Sequence, residues 1–239
     1  DNNTVTASGD HLFTVELDIG KNRSNVQLYH GDVLMTNDGA TLTDVADHYV
    51  YDEATGYVTM KVTHFSPFTA VYTKGNWSDS TSDGYGTPID EDKKVVTIAS
   101  AEELALLAKE VNSGKSYTGY TVKLVADIDL QENQWTPIGK SGKTFQGIFD
   151  GDGHTISNLL INKSWMSDVG LFGFTTNGEI KNFTLHTANV TGYLDVGAVA
   201  GTPYTSKYSN IKLTGDVTID GFAYVGGMFG KNAYANLTD

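Results

Sequence analysis

The sequence predicts an all-β protein in two parts, a small N-terminal β-sandwich joined to a helix-capped β-helix (a β-solenoid). Three observations carry this expectation. Glycine supplies 26 of 239 residues and proline only 4, against a usual glycine share of about 7%, so tight turns are many and rigid kinks few. Thr, Tyr, Val and Asn fill the segments between, as strands and their corners require. The third observation is a recurring pattern in the C-terminal half.

Residues 1–73 read as six or seven short strands. In "LFTVELDI", Phe13, Val15, Leu17 and Ile19 alternate with Thr14, Glu16 and Asp18, the period-2 signature of a half-buried strand. "YVYDEATGYVTMKV" reads as a hairpin that turns at Asp52 to Gly56 and buries Val58, Met60 and Val62. "FTAVY" closes the region. Residues 74–94, "KGNWSDSTSDGYGTPIDEDKK", are rich in Ser, Asp and Gly, lack periodicity and read as a linker.

The solenoid is expected over 95–239. It opens with the one convincing helix, in "VVTIASAEELALLAKEVNSG". Ser100 and Glu103 have the spacing of a capping box, in which each side chain answers a free amide of the first turn. Leu104, Leu107, Ala108 and Val111 form one apolar stripe, and Gly114 stands where a left-handed residue ends a helix. A solenoid leaves its terminal coil open and needs a cap; this helix is placed to be one. "TVKLVADIDL" then reads as the first strand.

The repeats follow. "ISNLLI", "IKNFTL", "YSNIKL" and "YANLTD" share an apolar-x-Asn-apolar-x-apolar pattern that fails only at Asp239, with asparagines at Asn158, Asn182, Asn210 and Asn236, intervals of 24, 28 and 26. "GIFD", "GLFG", "AVAG" and "GMFG" precede them, and Val190 and Val217 mark a third element. Three strands per ~26 residues make one coil, with each strand bonded to its equivalent about 4.8 Å along the axis. Leu159, Phe183, Ile211 and Leu237 are then expected to form an inward column. The four asparagines form a ladder of amides, or each supports its own turn through tolerance of left-handed geometry.

"FDGDGH" places Asp150, Asp152 and His154 close together. On the repeat pattern, Asp150 stands where Gly173, Gly201 and Gly230 stand later, so the stretch reads as a turn whose aspartates cap backbone amides. A calcium loop would want further oxygen ligands where His154 sits.

Composition narrows the function. A formal net charge of −13 repels phosphate backbones, so nucleic acid is not an expected partner. The absence of cysteine removes disulfides and thiolate metal sites but not export. No apolar run reaches the length of a membrane span. The chain begins at Asp1 without a methionine or signal peptide and stops in mid-pattern, which reads as a piece of a longer protein.

"FQGIFDGDGHTISNLLI", "VGLFG", "GEIKNFTL", "DVGAVAG" and "YVGGMFG" resemble the GLUG-motif repeats of large bacterial surface proteins, over residues 95–239. "SAEELALLAKEVNSG" with "VKLVADIDLQENQWTPIG" resembles the segment that leads into them. Such repeats occur in predicted adhesins and in the non-catalytic part of IgA-specific metallopeptidases. The resemblance implies export, an extracellular bacterial cell-surface setting and a β-helical stalk or binding region. Val199 and Ala200 replace a usual bulky pair, which implies a thinner coil there. The six histidines (His11, His30, His48, His64, His154, His186) contain no H-E-x-x-H, so zinc proteolysis is not assigned to this chain.

Three sets of side chains are candidates for chemistry. His64, Phe65 and Ser66 in "THFSPF" resemble the self-cleaving segment of some β domains (ZU5-type among them), where Ser attacks the preceding carbonyl with help from His and backbone strain; otherwise they lie in a strand before Pro67. Trp135, Trp165, Tyr193, Tyr204 and Tyr224 fall near turns, where rings can stack on sugars or partner loops. Asp150, Asp168 and Asp195 come from neighbouring coils, and a polysaccharide-cleaving enzyme would need them aligned. The sequons at Asn22, Asn76, Asn182, Asn189 and Asn236 carry no weight in a bacterial protein. The function expected is cell adhesion by binding host protein or glycan, with no catalytic residue, metal or cofactor; a structural spacer and a polysaccharide-active enzyme are the alternatives.

Overall fold

The computed structural model describes residues 12–231 and 234–238; His11 and Asp239 lie outside them. The chain divides into two compact units, Asp1–Gly75 and Asn76–Asp239.

The first unit is sandwich-like, as its alternation predicts. Its strands are β1 (Phe13–Asp18), β2 (Arg23–His30), β3 (Val33–Leu34), β4 (Thr36–Asn37), β5 (His48–Asp52), β6 (Tyr57–Val62) and β7 (Phe68–Lys74). They form two sheets, in the orders β1-β6-β5-β4 and β3-β2-β7. Val58, Met60 and Val62 are fully buried and meet Leu28, Met35 and Tyr49 in one core. The expected hairpin joins β5 to β6, where the Gly56 amide donates to the Asp52 carbonyl.

The second unit is a parallel β-solenoid of about five turns. Its strands are β8 (Val95–Ile98), β9 (Thr121–Leu124), β10 (Ile128–Asp129), β11 (Ile148–Asp150), β12 (Thr155–Asn162), β13 (Phe172–Thr176), β14 (Glu179–Thr191), β15 (Leu194–Val196), β16 (Ala200–Tyr204), β17 (Lys207–Asp220), β18 (Ala223–Val225) and β19 (Asn236–Thr238). The pairings between these strands are all parallel.

Helix α1 (Ala101–Ser113) caps the first coil. The Glu103 amide donates to Ser100 Oγ at 3.3 Å, while the Glu103 carboxylate reaches Ala99 N at 2.6 Å in place of Ser100 N. Gly114 ends the helix at φ +122°. Leu104, Leu107, Ala108 and Val111 are buried in the same core as Val96, Ile98, Val122 and Leu124. Burying the two leucines contributes roughly 1.5–3 kcal/mol each. The cap sits inside the first coil, because β8 precedes it and pairs with β9. The first strand is therefore β8 and not "TVKLVADIDL".

Two other expectations are corrected. Residues 76–94 are not a linker. Trp77 is buried with its indole N–H on the Leu130 carbonyl (2.9 Å), Gly86 N donates to Glu103 Oε1 (2.5 Å), and the Tyr85 hydroxyl donates to Glu110 (2.7 Å). Irregular backbone held by a few large side chains has the composition of a linker without being one.

The register also differs. Phe183 lies over Ile211 as expected, but Leu159 lies over Ala188, and Leu237 over Tyr208. Val190 pairs with Ile219, not Val217, after a bulge beyond His186. "GIFD" belongs to β11, which pairs with β14, whereas "GLFG" and "AVAG" enter β13 and β16 of another sheet. Asp150 is thus level with Lys181 and not with the glycines. The coil step is 28 residues where Phe172 lies over Ala200 and Glu179 over Lys207.

The motif glycines are set by close approach of successive coils. A Cβ on Gly201 would lie 2.3 Å from Val169 N and 2.4 Å from Asp168 C. No side chain fits there.

Candidate functional site

A polar trough runs along one corner of the solenoid, where β11, β14 and β17 begin. Register builds it. Ile148, Glu179 and Lys207 stack as one wall. Gly147 and Gly178, which precede the first two, form the floor, and Gln146, Asn177 and Thr205 line the other side. The cavity is about 350 Å³ and extends to Gly119 on the preceding coil, within the usual range of small-molecule sites.

The local sequence explains the shape. Asn177 and Thr205 hold left-handed φ values of 54° and 50°, which turn the chain sharply into each strand. Gly147 is needed because a Cβ there would meet Tyr117 O at 2.7 Å. Ser206 is buried, its hydroxyl accepting from Gly178 N and donating to Tyr204 O.

The walls carry donors and acceptors. Thr205 Oγ1 donates to Asn177 Oδ1 at 2.7 Å, and Thr118 Oγ1 to Gln146 Oε1 at 3.1 Å. Glu179 pairs with Lys181 at 2.6 Å, a hydrogen bond that raises the Lys181 amine above its ordinary value. Lys207 makes no ion pair among the described residues. Tyr204, 41% exposed, directly precedes Thr205, and its ring lies between those of Phe174 (6.4 Å) and Tyr234 (6.1 Å).

The five aromatic candidates do not form one site. Trp135 is removed from the set: it is fully buried, with its indole N–H on the Leu171 carbonyl at 3.0 Å. Trp165 stands alone at 73% exposure. Tyr193 stacks on Phe222 (5.3 Å, 15° between planes), so the two rings cover each other's faces. Tyr224 lies under the Lys231 ammonium at 5.5 Å. Only Tyr204 adjoins the trough. Sequence reasoning missed the trough itself; the signal was the series "QGI", "NGE" and "TSK", legible only once the coil step is known.

The asparagines form a ladder in part. Asn210 Nδ2 donates to Asn182 Oδ1 (3.1 Å), and Asn182 Nδ2 to Asp150 Oδ1 (2.9 Å). Asn158 belongs to another column, donating to Asp129 Oδ1 at 2.8 Å, and Asn236 pairs with Lys207. Asn158, Asn182 and Asn210 all have positive φ, so the ladder and the left-handed turn coexist.

In "FDGDGH" the three side chains diverge. Asp150 Oδ1 accepts from the Asp152 amide, Asp152 pairs with Lys123 (2.9 Å), and His154 meets Asp127 (3.1 Å). The three acids once considered together separate as well: Asp150 lies in a different sheet from Asp168 and Asp195. Those two occupy one column, both with left-handed φ, beside the Val169–Val196 bridge. Asp168 accepts from Thr202 Oγ1 (2.6 Å), while Asp195 Oδ1 is buried without a partner. Burial, and then the neighbouring Asp168, push the Asp195 carboxyl up, opposed by Lys231.

In the first unit, His64, Phe65 and Ser66 lie in the connection between β6 and β7 and not in a strand. His64 Nδ1 meets Thr63 Oγ1, and its ring lies 4.4 Å from that of His30. None of the three has a left-handed φ, so the backbone strain that assists such a cleavage is not visible there.

The fold and trough define a helix-capped parallel β-solenoid with a polar corner groove. No family model matches the chain, and no solved structure matches it. It is 31% identical over 249 aligned residues to halomucin of Haloquadratum walsbyi, an alignment covering 90% of this chain and 3% of that protein. It is 34% identical over 96 residues to a putative Gly-rich membrane protein of Evansella cellulosilytica, covering 36% of this chain and 11% of that one. The chain therefore spans a small part of each relative.

Proposed function

We propose that this chain is a non-catalytic segment of an exported surface protein, and that its solenoid serves adhesion by binding a host protein or glycan. The observation that carries the reading is the corner groove, a concave polar surface built on a rigid scaffold. Halomucin and a Gly-rich membrane protein among the relatives support a surface or membrane-associated setting. The resemblance of "DVGAVAG" and "YVGGMFG" to GLUG repeats supports the same setting. No helix among the described residues is long and apolar enough to cross a membrane.

The test is a binding screen of the whole chain on a glycan array and on immobilised extracellular-matrix proteins. Adhesion requires saturable binding on at least one of them. Blank results on both would leave a structural spacer as the function.

A further inference from the structure

We infer that the corner groove binds an uncharged linear oligosaccharide lying along the solenoid axis; this rests on the adhesion reading and names the ligand class. Three features point to a glycan and away from a peptide strand.

The first is the floor. A peptide adding as a β-strand needs free backbone donors and acceptors. Here the amides of Ile148, Glu179 and Lys207 donate to Tyr120, Gly147 and Gly178 carbonyls at 2.8–3.0 Å, and Gly178 N is taken by Ser206 Oγ. The floor has no free strand edge to offer.

The second is the repeat distance. Equivalent wall groups recur once per coil, about 4.8 Å apart, close to the length of one pyranose ring in an extended chain. Sugar hydroxyls both donate and accept. The walls meet them with the Asn177 Nδ2 amide, the Lys207 ammonium, which has no ion pair among the described residues, and the remaining lone pairs of Thr205, Glu179 and Gln146, whose other positions are held by Asn177, Lys181, Thr118 and Thr144.

The third is charge. The groove's acid is matched by Lys181, while the chain as a whole carries −13. Lys207 offers a repeating polyanion one isolated cation on a chain that is acidic overall, and a polycation would find one paired carboxylate. A neutral chain meets neither obstacle.

The experiment is isothermal titration of the full chain with cellohexaose, xylohexaose, laminarihexaose and chitohexaose, repeated on Glu179→Gln, Lys207→Ala and Gln146→Ala, with circular dichroism confirming each fold. Trp165→Ala is the control. We expect at least one of these sugars to bind and each groove substitution to weaken it at least about fivefold, with Trp165→Ala unchanged. Absence of binding at millimolar sugar overturns the inference, as does binding that the groove substitutions leave intact. Either result together with a positive adhesion screen sinks the groove assignment alone; a blank screen sinks the adhesion reading.

Discussion

Replacing Gly201 with alanine tests the claim that motif glycines exist to let coils approach. The added Cβ would lie 2.3 Å from Val169 N, 2.4 Å from Asp168 C and 2.6 Å from Asp168 Cα. Ordinary contact begins near 3.4 Å, so the two coils must part locally by about 1 Å. All three atoms are backbone, and no rotamer change can relieve them. Overpacking of a rigid core costs about 1–3 kcal/mol, and this site belongs at the upper end. For a unit of this size, about 3 kcal/mol corresponds to roughly 6–12 °C in Tm. Gly227 is the matched control, with nothing within 4 Å of its added Cβ and no left-handed φ; Gly227→Ala should move Tm by less than about 2 °C. Thermal melts followed by circular dichroism compare the two. Equal melting temperatures for the two variants would refute the close-approach argument.

Asp195→Asn should stabilise the solenoid at pH 7, because burial and the neighbouring Asp168 disfavour the ionised carboxylate. Its folded pKa lies above the ordinary 3.8, so the penalty is absent below that value and grows as pH rises through the folded one; urea melts at pH 3 should show no gain. Glu110 has the opposite sign. Burial alone would raise its carboxyl, but hydrogen bonds from Tyr117, Tyr85 and Lys115 hold it below the ordinary 4.5. Its contribution is complete above 4.5 and lost as pH falls through the lower folded value, so Glu110→Gln should cost about 1–2 kcal/mol at pH 7 and little at the acid end of a pH series of melts. Asn182→Ala removes bonds to Asp150 and Asn210 and puts alanine at φ 59°; a loss of about 2–3 kcal/mol in chemical denaturation is expected, against about 1–2 kcal/mol for Asn182→Gly, which loses the same bonds but adopts the left-handed φ freely.

The sequence by itself determined what depends on local periodicity. Alternation in β1 and β6 placed Val58, Met60 and Val62 inside, the Ser100–Gly114 signals bounded α1, and recurring Asn and Gly patterns declared a solenoid. Each of these is a statement about a residue and its near neighbours along the chain. Only the tertiary structure decided which coil lies over which. Several segments present the same apolar-x-Asn pattern, and period-2 alternation says which face is buried but not which strand lies opposite. Hence Asn158 fell in a different column from Asn182, and Asp150 parted from Asp168 and Asp195. Burial of Trp77 and Trp135 likewise depends on contacts many residues away, with Leu130 and Leu171. The groove is the extreme case: of its surroundings only Tyr204 was singled out. Gln146, Asn177 and Thr205 are unremarkable turn residues until coil steps of 31 and 28 residues, which strand pairing alone sets, bring them into one wall.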